Sequence, residues 1–393
     1  MLMTMDQPRL HLSQQRAVEH MQSVALGLQP EALEMINHVL YMGNCLPAKT
    51  VRAAVLSSIR RTARVALHFH PDRPGGKSED GGSAKTVAAC LLDDGVYRSQ
   101  FETGISNGGL SAHPGGARDE WERSLFGGAY HPDGQNNEEE TGNSRGGWRA
   151  LRPTYGALDV LGSASDGPAP RFGSCFLVLK PEVLARCTFT LGGSADKPKW
   201  QGTMEEFDGV LAGMLEESFM RESTLGAVGE MRPPRLVAHI LARGEGDERS
   251  ERARSGNLDF YAEAQVHGQV LLDRDVEGLV ADPSFRDGQT GRDLVALAEK
   301  FGFGLRWHVG SEIKVEDVPS DFRGPTVPSL AARIANDGML NAKVIGDAVR
   351  QLTEDAAAWS DRGSPAHVMQ ELKWLWHVLV RFGKPYKYGH LSN

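Results

Sequence analysis

Residues 261–268 read Tyr-Ala-Glu-Ala-Gln-Val-His-Gly. Side chains alternate across a β-strand, so here Glu263, Gln265 and His267 share one face while Ala262, Ala264 and Val266 share the other. The alternation predicts a strand over Phe260–Leu272. A carboxylate flanked by an amide and an imidazole can orient a hydroxyl or stabilise a developing cation. A solvated sheet surface would also account for the pattern.

A second strand-like run lies far upstream, Val65-Ala66-Leu67-His68-Phe69-His70, stopped by Pro71-Asp72-Arg73-Pro74-Gly75-Gly76. His68 and His70 are two residues apart on it, so both can reach one ligand. Plain edge-strand hydrogen bonding is the structural alternative. Beyond it, Ser83 is a candidate cap for a helix over Val87–Leu92 that ends near Asp94-Gly95. Val96–Glu102 is expected as a strand. It leads into Thr103-Gly104-Ile105-Ser106-Asn107-Gly108-Gly109, dense in hydroxyls, amides and glycines. Arg98, Thr103, Ser106 and Asn107 can bind a phosphate or ribose through side chains and backbone N–H groups. There is no GxGxxG and no helix opens from these glycines, so this is no Rossmann fingerprint. Tyr155-Gly156, and Phe172-Gly173-Ser174 opening a strand to Leu179, offer rings and a hydroxyl for a flat heterocycle, with core packing as the alternative.

The remaining chain sorts around these runs. Residues 1–62 predict a helical lead-in, with Pro30 in the first turn of a helix, and 63–288 carry all four polar constellations. Residues 289–393 are expected as a mostly helical segment with a short strand at Gly304–His308. Residues 131–147 are polar and rich in Gly, Asn and Glu, which predicts a surface loop.

Composition limits the function. A net charge of -8 argues against a general nucleic-acid binder. No run of about eighteen apolar residues appears, so no membrane partner is expected, and Met1–Leu12 shows no signal peptide. Cys45, Cys90, Cys175 and Cys187 form no CxxC pair, which fits reduced thiols in a cytoplasmic protein.

Taken in order, Leu67-His68-Phe69-His70, the helix to Asp94-Gly95, Phe172-Gly173-Ser174-Cys175-Phe176 and Glu263-Ala264-Gln265 resemble the ADP-ribosyltransferase superfamily. His68–Asp282 also resembles an uncharacterised bacterial and fungal family associated with it. The resemblance implies an α+β fold, a split pair of mostly antiparallel sheets around a cleft for NAD, flanked by N-terminal and C-terminal helical segments. It implies NAD as co-substrate, no metal, release of nicotinamide, and mono-ADP-ribosylation of a macromolecular acceptor, expected to be a protein. Glu263 and Gln265 would be catalytic. His68, His70, Arg98, Thr103, Ser106, Asn107, Tyr155, Phe172 and Ser174 would hold NAD. The superfamily's usual His-Gly-Thr is absent, so His68 and His70 both stand for its histidine. In the arginine-modifying branch, Arg73 or Arg98 would supply the first-strand arginine, but Glu263-Ala264-Gln265 replaces its Glu-x-Glu. The acceptor therefore stays open. A toxin or effector delivered into another cell would also lack an N-terminal signal.

Two other readings compete. A metal-dependent hydrolase would begin its site with His68 and His70 and draw on His113, His131, His239, His267, Asp72, Asp273 and Asp282. A non-catalytic module would bind NAD or ADP-ribose without turnover.

Overall fold

The computed structural model describes residues 8–75, 84–104, 112–131, 147–162, 164–227, 229–244 and 253–387. Its centre is one eight-stranded sheet: β1 (Arg64–Phe69), β3 (Thr154–Asp159), β4 (Cys175–Leu179), β5 (Cys187–Leu191), β6 (Gln201–Thr203), β7 (Ala262–Val266), β9 (Val276–Ala281) and β10 (Gly304–Trp307). The order across it is β10-β9-β4-β1-β3-β7-β5-β6. All neighbours are antiparallel except β10 and β9. Two short pairs stand apart, β2 (Val96–Tyr97) with β8 (Val270–Leu271), and β11 (Glu312–Lys314) with β12 (Met339–Asn341).

The sheet is continuous, not two separate sheets, but it opens along one seam. β1 pairs with β3 only through Arg64↔Asp159, Val65↔Leu158 and Ala66↔Ala157. Beyond Ala66, β1 follows β4, pairing His68 with Phe176 and Phe69 with Cys175. The first half of β3 follows β7 instead, pairing Tyr155 with Gln265 and Gly156 with Ala264. Two half-sheets thus share a three-residue ladder and part beyond it.

Helices pack against the sheet. Helix α1 (Leu12–Met42) runs straight through Pro30, which is interior and not in a first turn. It buries Ala17, Met21 and Ala25 before the proline and Ala32, Ile36, Val39 and Leu40 after it. Burying two such larger side chains, at roughly 1.5–3 kcal/mol each, outweighs the ~3 kcal/mol an interior proline costs. Helix α2 (Ala48–Thr62) buries Val55, Leu56 and Ile59 and places Arg60 and Arg61 in its last turn, where they complement the helix dipole. Helix α3 (Val87–Asp94) is capped by Thr86, not Ser83, which lies outside the described residues. It stops at Gly95, whose φ of 67° suits glycine. The strand expected over Val96–Glu102 ends at Tyr97, because Ser99 and Glu102 form a capping box that starts a one-turn helix, α4 (Gln100–Thr103). Phe172 lies in a helical turn ahead of β4. β7 ends at Val266, and Gly268, at φ 78°, turns the chain.

The three expected segments share one apolar core, which runs from Ala32 to Val380. The C-terminal segment supplies edge strand β10 and a helix, Pro365–Phe382, that packs on the Pro170–Phe172 turn through Trp376, whose Nε1 donates to Pro170 O at 3.1 Å. The guanidinium of Arg254 caps that helix on Leu379 O, Val380 O and Gly383 O. No helix among the described residues is long and apolar enough to cross a membrane.

At Gly173 two chain segments cross closely: a Cβ there would overlap the backbone N, C and O of Phe69. Gly173→Ala is expected to destabilise the fold by about 3 kcal/mol, read as a lower urea midpoint with an unchanged slope.

Candidate functional site

The opening seam holds a cavity of about 860 Å³, at the upper end of small-molecule sites. His68, Phe69 and His70 of β1 line one side, and Thr154–Ala157 of β3 with Glu263 of β7 line the other. Helix α5 (Ala117–Leu125), which the sequence reading did not identify, contributes Arg118 and Trp121. Their i, i+3 spacing, which puts both on one helical face, is the signal that could have found them.

Glu263 is held by hydrogen bonds within the site. Its Oε1 accepts from the Ser194 hydroxyl, from Ser194 N–H at 3.3 Å and from Gln265 Nε2 at 3.0 Å. Oε2 is left without a donor among the described residues. Burial raises the pKa of the carboxyl, while the Ser194 and Gln265 hydrogen bonds and the charge of Arg118 pull it down. The Arg118 guanidinium lies over the rings of Trp121 and Tyr155, 4.7 and 5.0 Å from their centroids. The site therefore sets a carboxylate near a stacked cation and two aromatic rings.

The expected site residues divide three ways. His68, His70, Arg98, Thr103, Tyr155, Phe172 and Glu263 all line the cavity. Ser106 and Asn107 lie outside the described residues. Gln265 and Ser174 do not line it. Gln265 is fully buried behind Glu263 and acts on it as a hydrogen-bond donor. Ser174 is buried at the start of β4, where its carbonyl accepts from His308 Nε2 at 2.9 Å.

Lining the cavity does not leave every group available. His68 Nε2 accepts from Ala169 N–H at 3.3 Å, so Nδ1 carries the proton and donates to Gly173 O at 3.3 Å. Burial lowers its pKa to about 3, and Phe176 packs against the ring at 4.8 Å. His68 is thus a neutral pin for the turn that carries Phe172. His70 packs edge-on against Trp376 at 4.9 Å, and burial likewise holds its pKa well down. Arg98 is bound to Asp94 and Glu102. Tyr97 donates to His68 O at 3.3 Å, at the point where β1 has left β3. Tyr261 meets Phe172 edge-to-face at 5.4 Å across the cavity wall.

The residues that a hydrolase would need are dispersed. Asp72 turns its carboxylate onto Gly346, Asp282 caps Ser284, His131 bonds Asp119, and His239 bonds Leu161 O. Among the described residues no group of three or more His, Cys, Asp or Glu could hold a metal ion.

Behind the cavity, Arg152 bridges Asp119 and Glu122, and Tyr155 donates to Glu122 at 2.7 Å. Burial raises the pKa of Glu122 and Arg152 opposes the rise. Arg152→Met takes the ion-pair partner from that fully buried carboxylate and is expected to cost about 3–5 kcal/mol. A group with a raised folded-state pKa loses its contribution as pH climbs through that value. The penalty should therefore grow from mildly acidic to alkaline pH in denaturant titrations; a pH-independent penalty would argue against this ion pair.

Similarity to known proteins bears on the chain as a whole. The "Gene 2 protein" of Mycobacterium phage D29 is 27% identical over 195 residues, which cover 48% of this chain and 59% of that protein. The chain thus spans about three-fifths of that relative's length. A family model described as "Protein of unknown function (DUF3626)" matches residues 64–382, from the first residue of β1 to the last of the Pro365–Phe382 helix, and the chain belongs to that family.

Proposed function

We propose that this chain is an NAD-dependent ADP-ribosyltransferase that releases nicotinamide and modifies a protein acceptor on an ADP-ribosyltransferase-like fold. One observation carries the reading. A carboxylate with Oε1 held by three donors and Oε2 unclaimed among the described residues lines the same cavity as the aromatic and arginine side chains of β1, β3 and α5. The opened seam between half-sheets is what a cleft between split sheets would require.

NAD suits the residues present. Tyr155, Trp121 and Phe172 offer ring faces for flat heterocycles. Arg118 supplies a cation beside Glu263 that can face a pyrophosphate. NAD would supply the ribose–nicotinamide bond that breaks, with its electron pair leaving on neutral nicotinamide. Glu263 would accept a ribose hydroxyl and stabilise the positive charge that grows on the sugar. That interaction strengthens towards the transition state, so it acts on turnover more than on binding. The acceptor's nucleophile would then bond to the same carbon and release its proton. His68 would not exchange protons here, because both its ring nitrogens serve the backbone.

The test is nicotinamide release and protein labelling from labelled NAD in a lysate, comparing wild type with Glu263→Gln. Release should fall by at least about a hundred-fold while NAD affinity stays within a few-fold. Equal labelling by the two proteins would sink the role of Glu263. Tight NAD binding by both, with no release by either, would instead identify a binding module.

A further inference from the structure

Gln265 is itself held, by a row of buried side chains running away from the cavity. Gln265, Thr188 and His267 are all fully buried. The Thr188 hydroxyl donates to Gln265 Oε1 at 2.8 Å and stands 3.1 Å from His267 Nε2. The Tyr130 hydroxyl stands 2.6 Å from His267 Nδ1.

The direction of this row follows from proton counting. Thr188 has one hydroxyl proton and gives it to Gln265, so it must accept from His267, whose Nε2 therefore carries the ring proton. Nδ1 is then the acceptor, and Tyr130 is its donor. The Gln265 amide cannot turn over without setting its oxygen against the Glu263 carboxylate and its NH2 against the Thr188 proton. Every link points towards Glu263. The far end is clamped as well: the rings of Tyr130 and His267 lie within 9° of parallel, and Phe126 meets His267 edge-on at 5.3 Å. Phe126 and Tyr130 in turn pack on Ala17 and Met21 of α1.

We propose that Tyr130, His267, Thr188 and Gln265 are positioning residues, forming one buried, one-way hydrogen-bond chain that turns Oε1 of Glu263 inward and Oε2 to the cavity. The chain ties Glu263 to the segment just after α5, the helix that presents Arg118 and Trp121 to the same cavity. Its effect on turnover rests on the transferase reading above; the hydrogen-bond order does not.

No member of the chain changes charge in the working range. Burial lowers the pKa of His267 to about 3, with Arg186 adding to the effect, and pushes the Tyr130 phenol well up. The groups that face Glu263 are Arg118 from α5, Tyr155 from β3, Tyr261 ahead of β7, and Ser194 from the turn after β5. Thr188→Val alters none of these and keeps the side-chain shape, but it removes both hydrogen bonds in the middle of the row. Thr188→Ser keeps the hydroxyl.

The measurement is the titration midpoint of Glu263 by carbon NMR of glutamate-labelled protein, with Glu263→Gln supplying the assignment. In Thr188→Val the unpinned amide loses its donation to the carboxylate, so the midpoint should rise by about one pH unit. Thr188→Ser should titrate like the wild type, and Tyr130→Phe should rise by less than Thr188→Val. Identical midpoints in wild type, Thr188→Val and Thr188→Ser would overturn the chain. Should Thr188→Val fail to fold, Tyr130→Phe decides in its place. Where nicotinamide release is measurable, kcat in Thr188→Val should fall by about ten-fold with KM little changed. A shifted midpoint with no nicotinamide release from wild type would keep the chain and reject the transferase. Release with an unmoved midpoint would do the reverse.

Discussion

The ladder between Arg64–Ala66 and Ala157–Asp159 is the constraint on which the rest of the molecule depends. It is long enough to make one sheet and too short to close it. A longer ladder would zip β1 onto β3 and remove the space that the cavity occupies. Without a ladder, the half carrying His68 and the half carrying Glu263 would be joined only by loops and helices. Parting the strands exposes backbone groups that a closed sheet would have paired, and such groups are costly to leave unmet. One is met by a side chain, the Tyr97 hydroxyl on His68 O.

Opening a sheet also requires both halves to be stiff, and buried polar contacts supply that on the Glu263 side. Arg152 with Asp119 and Glu122 holds α5 against the stretch that enters β3. A buried ion pair contributes little net stability, since desolvation offsets most of the Coulomb attraction, but it tolerates few geometries. The same holds for the row from Tyr130 to Gln265. On the other side, stiffness is mostly apolar: Trp376 and the Pro365–Phe382 helix brace the Pro170–Phe172 turn, and Phe176 packs against His68.

Local patterns in the sequence were legible where one residue's neighbours decide its state. Alternation around Glu263 located β7, and the strand-like run stopped by Pro71-Asp72-Arg73-Pro74 located β1. Legibility failed where a longer-range or more local effect intervened. Pro30 reads as a helix start, yet burial on both sides of it carries α1 through. Val96–Glu102 reads as a strand, yet the Ser99–Glu102 capping box turns it into a helix. Alternation put Gln265 on the face of Glu263, and the hydrogen bond between them agrees, but it could not show that Gln265 is fully buried while Glu263 lines the cavity. Arg118 and Trp121 went unnoticed because nine residues of short helix between glycine-rich stretches carry little periodic signal.

The two ends of the site therefore differ in kind, although both read as polar strand faces. His68 has two hydrogen-bonding nitrogens and spends both on backbone, so its chemistry is consumed in holding the wall. Glu263 has two oxygens and, among the described residues, spends one, with the donors crowded onto Oε1. Donors concentrated on one oxygen fix the carboxylate plane and leave the other oxygen both oriented and available. A ligand entering the seam thus meets neutral histidines on β1 and a directed acceptor on β7. Of these two residues, only Glu263 keeps an atom without a partner among the described residues, and that asymmetry follows from which strands flank each residue once the sheet has opened.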